Sequence, residues 1–478
     1  MNITNQSKEK TIAEIVGEIP VAIEPIYLTR HPNDPITLYE GVLELKQGEG
    51  VAKAEGKIEL SLVADVEVNF SIENAIMKSL NGLGCVDLDE TYLSWPTNRY
   101  TNTVDVTNVN YKNEQGDEHC VCTGHARNGL IVKNGSDLSY VVFHLLNFSN
   151  YHGFNIRSDG SKGQIWNGRV LLEEDGWRIA IDKVQDCSEL YKDLKISRGY
   201  AVTHVCKLEK ADGSTFTAEQ TQDVLSSLHW FLSFVRGAWS PPCLPVGFDL
   251  SGSRVWESWQ NVRATRWKSV PSWFSEVQPA EALNSIFTGF RACWRNPLWH
   301  DELKHIVHWY VTSNTNVAAL EGSIVLAQTG LELLTWILLV EDQKKFSANN
   351  FNSKKNAAER LKELLKHIGV NDAIPPTLIN LSVIAPTQGW TNGPGALTGL
   401  RNAIEHPNRR SGSSSVSWEA RCDLLSLSLW YLELGLLHLF SHQGRYANRT
   451  SAARFVGQDV EIVPWEPSQS PQSVQSSI

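Results

Sequence analysis

The chain lacks most of the short signatures by which enzymes announce themselves. Its 478 residues contain no Gly-rich phosphate loop, no Gly-x-Ser-x-Gly elbow and no His-Glu-x2-His helix. No uncharged apolar run reaches the roughly 18 residues that a bilayer-spanning helix needs, and the nearest, around Leu331–Val340, is too short. The opening stretch, MNITNQSKEK, has no apolar segment of the kind an export signal requires, so the expected location is cytoplasmic, with no membrane association. The 8 cysteines are scattered, which fits reduced thiols better than a disulfide framework. An excess of positive charge is missing too. With 43 Lys and Arg against 53 Asp and Glu the net charge is −10, which disfavours a protein that coats nucleic acid and still permits a local basic site.

What is present changes character near residue 280. Before it, apolar residues alternate or fall in short β-branched runs bounded by Gly, Asn and Asp, and the pattern predicts strands. Ile36–Leu45, Ile58–Ile72 and Val141–Leu146 are strand candidates, and Gly168–Leu172 with Trp177–Ile181 should form a hairpin around Asp175-Gly176. A second hairpin is expected at Ala211-Asp212-Gly213. One helix should interrupt this region: Thr217 and Gln220 have capping-box spacing, Leu225, Leu228, Phe231, Leu232 and Val235 share a face, and Gly237 can end it.

After residue 280 the period is helical. Leu320, Ile324, Ala327, Leu331, Leu334 and Leu338 form one seam; Ala357, Leu361, Leu364 and Ile368 form a second on a Lys-rich helix. Trp418, Cys422, Leu425, Leu429, Leu432, Leu436 and Leu439 form a third. Three such faces must pack on one another. The expected class is α+β: a β-rich domain over about 1–275, an all-α bundle over 280–445, and a Ser, Gln and Pro-rich disordered tail over 466–478.

Between the last two seams lies Leu400-Arg401-Asn402-Ala403-Ile404-Glu405-His406-Pro407. Arg401 with Glu405, and Asn402 with His406, are spaced to meet on a helix. In a continuous helix Arg401 and His406 point about 140° apart. Pro407 disfavours the helical conformation at His406 and frees the imidazole to swing toward the guanidinium. Arginine grips phosphate oxygens in a bidentate fork, and histidine moves protons near neutral pH. Together they suffice to cut RNA by internal 2′-hydroxyl attack without a metal or other cofactor.

The bare pattern is short, and the chain holds a decoy, Arg295-Asn296-Pro297-Leu298-Trp299-His300. There Pro297 disrupts helical presentation, and a structural role is expected. A looser Arg360–His367 pair also occurs. Against Arg401 and His406 stands the plainer reading of a surface Arg–Glu pair beside a helix-ending His.

The segment LTGLRNAIEHP, preceded by QTGLELLTW and a Lys-rich helix, resembles the HEPN superfamily, whose nucleases carry Arg-x4–6-His. A β-rich first half followed by such a bundle is similar in layout to abortive-infection ApeA-type anti-phage defence proteins. The specific resemblance covers roughly residues 290–445. It implies an endoribonuclease of toxin type acting on RNA, tRNA among the candidates. It further implies homo-oligomerisation, a dimer or tetramer through the bundle, and an N-terminal domain that senses a phage-derived trigger. It also implies an acidic residue on an earlier helix, for which Glu332 is the candidate and Arg401 its natural partner; Glu332 as a solvated edge residue is the other reading.

Arg409, Arg410, Lys354 and Lys355 are candidates for guiding an RNA backbone, although Glu359 and Glu363 suit a solvated, salt-bridged face equally well. The run from Arg254 to Trp273 interleaves cations with Trp256, Trp259 and Trp267, which suits base stacking but suits a buried core better. His119, Cys120, Cys122 and His125 include metal-ligating types, yet no second Cys pair completes a zinc site and strand packing explains the cysteines. Two other functions stay open: a non-catalytic HEPN scaffold that binds RNA or nucleotide, and a Trp-rich ligand-binding β-domain dimerised by its helices.

Overall fold

The structure is a computed structural model. It describes residues 18–466 except 49, 77–89, 99, 115–116, 160–162, 318, 406–415, 453–454 and 456. It resolves into two compact units, one built from strands and one from helices.

In the first unit six antiparallel strands close into a barrel. These are β1 (Ile36–Gln47), β2 (Gly50–Ser61), β3 (Glu67–Ile76), β4 (Thr91–Ser94), β5 (Asn102–Glu114) and β6 (Asp117–Ala126), in the order β1-β2-β3-β6-β5-β4. The expected strand over Ile58–Ile72 is two strands: the chain reverses after Ser61, so that Ser61 pairs with Glu67 and Gly56 with Ile72. Alternation still sets the faces. Ile58, Leu60, Val68, Phe70 and Ile72 point into the barrel core with Leu43 and Leu45.

The same unit contains an eight-stranded antiparallel sheet in the order β7-β14-β13-β8-β12-β11-β10-β9. Its strands are β7 (Leu130–Asn134), β8 (Tyr140–Leu146), β9 (Phe154–Arg157), β10 (Ile165–Glu174), β11 (Trp177–Lys183), β12 (Val202–Lys210), β13 (Pro242–Phe248) and β14 (Arg254–Trp259). The continuous apolar run at Val141–Leu146 is buried on both faces, as a central strand requires. Glu174 pairs with Trp177 across a two-residue turn in which Asp175 (φ 53°) and Gly176 (φ 72°) both adopt left-handed backbone.

The second expected hairpin does not form. The Asp212 carboxylate accepts from the amide and hydroxyl of Ser214, closing a local turn that leads into a helix rather than a returning strand. Helix α1 (Cys187–Ser197) joins β11 to β12 and was not expected from the sequence. Helix α2 (Ala218–Arg236) begins with the expected capping box. The Thr217 amide donates to Gln220 Oε1 at 2.9 Å and the Gln220 amide to Thr217 Oγ1 at 3.2 Å. Gly237 (φ 69°) ends it.

A strap over residues 19–33 is tied to the sheet by side-chain acceptors. The Ile23 amide donates to Asp182, which Arg169 also grips through both oxygens at 2.7 and 2.6 Å. His144 Nε2 accepts from the amides of Ile26 and Tyr27 at 3.2 and 3.1 Å. Burial pulls the His144 pKa down to about 4 from 6.5. The neutral form is the one that folds, so the stability it contributes is present above pH 6.5. That stability is lost as pH falls from 6.5 toward 4, to a total of roughly 3 kcal/mol. Urea denaturation followed across that window should show the loss, and His144→Gln, which cannot be protonated there, should make it shallower, with the buried His204, also pushed well below its usual value, supplying part of the remainder. A wild-type profile no steeper than the variant's would refute the assignment.

The second unit takes in Ser149–Tyr151, Asp223–Pro241 and everything from Lys268. Its helices are α3 (Ala282–Arg295), α4 (His300–Asn314), α5 (Ala319–Trp336), α6 (Ala348–Lys354), α7 (Ala357–His367), α8 (Ile379–Ile384), α9 (Gly393–Glu405) and α10 (Trp418–Leu439). A π-helical segment, Ile337–Asp342, continues α5 and carries Leu338, the last member of the expected seam. Phe231 and Phe234 of α2 pack on Phe287, Phe290, Tyr310 and Phe440, so the bundle core draws on residues well before position 280.

Helix α10 is the axis of the bundle, packed by α4, α5, α7, α8 and α9. Its C-terminal half is buried on all sides, from Leu427 through Leu437, instead of along a single seam. At its start the expected seam fails: Trp418 is 68 % exposed, and Ala420, Leu424 and Leu427 face inward instead. Two stretches, Ala319–Asp342 and Trp418–Leu439, have the length and hydropathy of membrane spans, and both lie mostly buried within the helical unit. Past α10 the chain adds a small hairpin, β15 (Arg445–Ala447) with β16 (Val460–Ile462). Glu466, the first residue of the expected tail, is anchored by the Gly444 amide. Residues 467–478 lie outside the described residues.

Candidate functional site

Helix α9 presents the Arg401 motif. Asn392 caps its start by accepting from the Gly395 amide at 2.9 Å, and Pro394 fits the first turn. Ala396, Leu397 and Leu400 are buried, and the helix packs against α5, α7 and α10. Gly393 lies so close under Tyr431 that a Cβ there would sit 2.2 Å from the phenol oxygen. The apolar face thus fixes the rotation of α9 and leaves Arg401 at the border of the bundle.

Arg401 Nη1 pairs with Glu405 Oε2 at 3.0 Å and reaches Asn402 Oδ1 at 3.3 Å. The two charged side chains are 25 % and 31 % exposed. Arg401 Nε is buried and has no acceptor among the described residues. Helix α9 is described as far as Glu405. His406, Pro407, Arg409 and Arg410 lie outside the described residues, so the site is seen from its arginine side.

Glu332 on α5 does not pair with Arg401. Its Oε1 accepts from Gln328 Nε2 at 2.8 Å, one helical turn earlier. Each group is served by an i,i+4 neighbour on its own helix, and that short reach wins over a bond between helices.

The basic face is also not as expected. Lys354 ends α6 and Lys355 falls between helices, because Asn356 and Glu359 form a reciprocal capping box that starts α7 afresh. The Lys354 side chain lies outside the described residues. Lys355 Nζ is bound to Glu363 at 2.7 Å, Lys362 stands 3.7 Å from Asp372, and Arg360 donates to the carbonyls of Lys355 and Asn352. These cations hold α6 to α7 and satisfy local carboxylates.

The decoy is structural. Arg295 ends α3, Asn296 caps it and His300 starts α4. The His300 ring sits 4.4 Å from that of Trp294, with Nδ1 2.7 Å from the Trp294 carbonyl and Nε2 2.8 Å from Lys304 Nζ. On β6, Cys122 is buried in the barrel while His125, of opposite parity, stands 3.6 Å from Asp105, so these two do not share an ion. The side chains of His119 and Cys120 lie outside the described residues. The tryptophans form core. Trp256 and Trp259 are buried, Trp259 stacks on Trp95 at 5.6 Å, and Trp273 is fully buried beside Phe234 in the helical unit.

Two features escaped the sequence reading. One is a cavity between α5, α6 and α7 lined by Gln328 and Glu332. The other is a buried ion pair. Glu433 of α10 has no exposure and Arg449 only 5 %, and Arg449 clasps both carboxylate oxygens. A single carboxylate within Leu429–Leu437 was the signal, because an acid in a fully apolar helical run needs a cation from elsewhere.

Comparison with known proteins places residues 133–270 in a family model described as the YopA central domain and residues 296–461 in one described as the YopA C-terminal domain. The chain is similar to YopA. A curated relative, the SPbeta prophage-derived uncharacterized protein YopA of Bacillus subtilis (strain 168), is 25 % identical over 452 residues, spanning 93 % of this chain and 98 % of the relative. No solved structure matches the chain. The YopA central-domain match starts three residues into β7 of the eight-stranded sheet and ends beyond β14, the last of its strands, while the YopA C-terminal match covers α4 to β16.

Proposed function

We propose that this chain is a metal-independent endoribonuclease of the HEPN type, cutting RNA with Arg401 and His406. The observation that carries the reading is the presentation of Arg401. A core-anchored helix holds a half-buried guanidinium at the bundle border, five residues before His406 in the sequence, with Nε unused by the described residues. In this mechanism His406 takes the proton of a 2′-hydroxyl, the 2′-oxygen attacks phosphorus as the bond from phosphorus to the 5′-oxygen breaks, the 5′-oxygen takes a proton from solvent water, and His406 returns its proton to solvent. The products are a 2′,3′-cyclic phosphate and a 5′-hydroxyl. Arg401 stabilises charge on the transition state and Asn402 positions the phosphate. Glu405 must first release Arg401. A partly solvated i,i+4 pair of this kind is worth about 1 kcal/mol at most, so a phosphodiester competes for the guanidinium easily.

Arg409 and Arg410 serve the RNA backbone in this reading, since Lys355 is committed to Glu363. The bundle would bring two copies of the motif together, and the β-rich half would sense a phage-derived trigger. The Bacillus relative is prophage-derived, which fits a place in phage–host conflict. The Arg401–Glu405 pair also favours a second reading, a HEPN scaffold that binds RNA without cutting it.

Total tRNA incubated with the full-length protein in excess EDTA distinguishes the two. The nuclease yields fragments ending in 2′,3′-cyclic phosphate and leaves DNA of the same sequence intact. Retarded but uncut RNA supports the scaffold, and cleavage that EDTA abolishes overturns the metal-independent mechanism.

A further inference from the structure

Gln328, Glu332, Thr335 and Trp336 of α5, with Phe351 of α6 and Arg360 of α7, line a cavity of about 30 Å³. Gln328 is 2 % exposed. Its Nε2 donates to Glu332 Oε1 at 2.8 Å, which fixes which way the amide faces. Gln328 Oε1 is consequently a buried acceptor, and it has no donor among the described residues. The Thr335 hydroxyl donates to the Leu331 carbonyl, and Arg360 directs Nε and Nη2 to the carbonyls of Lys355 and Asn352. The cavity therefore presents a buried amide oxygen beside a carboxylate, with the neighbouring donors engaged elsewhere. A buried acceptor left without a donor costs roughly 1–3 kcal/mol, so the site is built for something that supplies N–H groups.

The volume admits an amino group, not a whole ring system. Among the RNA bases, only guanine offers adjacent donors, N1–H and the N2 amino group, along one edge. Adenine and cytosine set their amino group beside a ring nitrogen lone pair, and uracil sets N3–H between two carbonyls; each would turn an acceptor toward the Glu332 carboxylate. Trp336 and the buried Phe351, packed edge to face with ring centres 5.8 Å apart, form the apolar wall next to the acceptors. Helix α9, which carries Arg401, packs against both α5 and α7.

We propose that Gln328 and Glu332 form a guanine-recognition subsite, with Glu332 accepting from N1–H and N2–H and Gln328 Oε1 accepting from the remaining amino hydrogen. This rests on the reading of the protein as an RNA-processing enzyme and gives it a base preference. In this role Glu332 is a positioning residue for substrate.

The test is calorimetric titration of the full-length protein with GMP, AMP, CMP, UMP and IMP. GMP should bind at least tenfold more tightly than AMP, CMP or UMP, and IMP, which keeps N1–H but lacks the 2-amino group, should fall between. Glu332→Gln, near-isosteric, should lose at least tenfold in GMP affinity, and Gln328→Leu should lose preference for GMP over IMP. Circular dichroism melting checks that each variant is folded. Equal binding of all five nucleotides, no binding to the folded wild type, or unchanged GMP affinity in Glu332→Gln overturns the proposal and leaves the cavity a site for water. Wild-type selectivity decides the matter even if both variants unfold. RNA cleavage on the same preparations separates the two ideas. Guanine selectivity without cleavage keeps the subsite and refutes the nuclease, whereas cleavage without guanine preference does the reverse.

Discussion

RNA cleavage is expected to fall about 10²–10⁴-fold in His406→Ala, the usual contribution of a side chain that transfers a proton in the transition state. Arg401→Ala should lose about 10²–10³-fold, as removal of one charge-stabilising donor group does. The pair acts on one phosphate, so the double variant should be little worse than the worse single one. Arg401→Lys should recover only part of the loss, because an ammonium keeps the charge but not the planar fork. Glu405→Gln removes the competitor bound 3.0 Å from the guanidinium, and RNA affinity should rise several-fold, with the gain shrinking in high salt. The measurement is single-turnover cleavage of end-labelled tRNA together with filter binding. Cleavage by His406→Ala at the wild-type rate would move the activity elsewhere in the chain.

Arg449→Ala should cost about 3–5 kcal/mol of stability, because it strands a carboxylate that has no contact with solvent. Glu433 is fully buried, and Tyr310 donates its hydroxyl to the same carboxylate at 2.6 Å. Burial and the adjoining Glu433 charge hold that phenol protonated well beyond its usual range, so it stays a donor. Arg449 also reaches Asn314 at 3.0 Å and the Pro271 carbonyl at 3.2 Å, joining α10, α4 and the approach to the bundle. The melting temperature, followed by tryptophan fluorescence, should drop by roughly 6–20 °C. Glu433→Leu combined with Arg449→Met should restore most of the loss, since well-packed apolar residues often match a buried pair. A loss below about 1 kcal/mol in Arg449→Ala would mean that the cluster is hydrated and not a lock.

Features set by neighbours in sequence were readable from it. Alternation located β1, a continuous apolar run located β8, Asp175-Gly176 placed the hairpin, and Thr217 with Gln220 marked the start of α2. Arg401 with Glu405 could be paired by spacing alone. Features that need a partner far along the chain were not. The Lys-rich segment read as one helix because its charges are contiguous, whereas Asn356 and Glu359 satisfy each other and split it. Gln328 and Glu332 are visibly one turn apart, but the cavity beside them exists only once Phe351 and Arg360 close it. The α10 seam misled at Trp418 because periodicity cannot tell a helix packed on one side from one enclosed by five others. Arg449 lies beyond the end of every helix, so nothing local connects it with Glu433.

The strap has a consequence for self-association. β9 is the last strand of the eight-stranded sheet, and outer strands offer unpaired amides and carbonyls that recruit foreign chains. Here the Arg157 amide donates to the Pro20 carbonyl at 3.0 Å, the Ala22 amide donates to the Arg157 carbonyl at 2.8 Å, and Val21 bridges Arg157 in parallel. Residues 20–22 thus hem the sheet margin, and the strap that His144 holds through the Ile26 and Tyr27 amides covers backbone that a foreign strand would otherwise pair with.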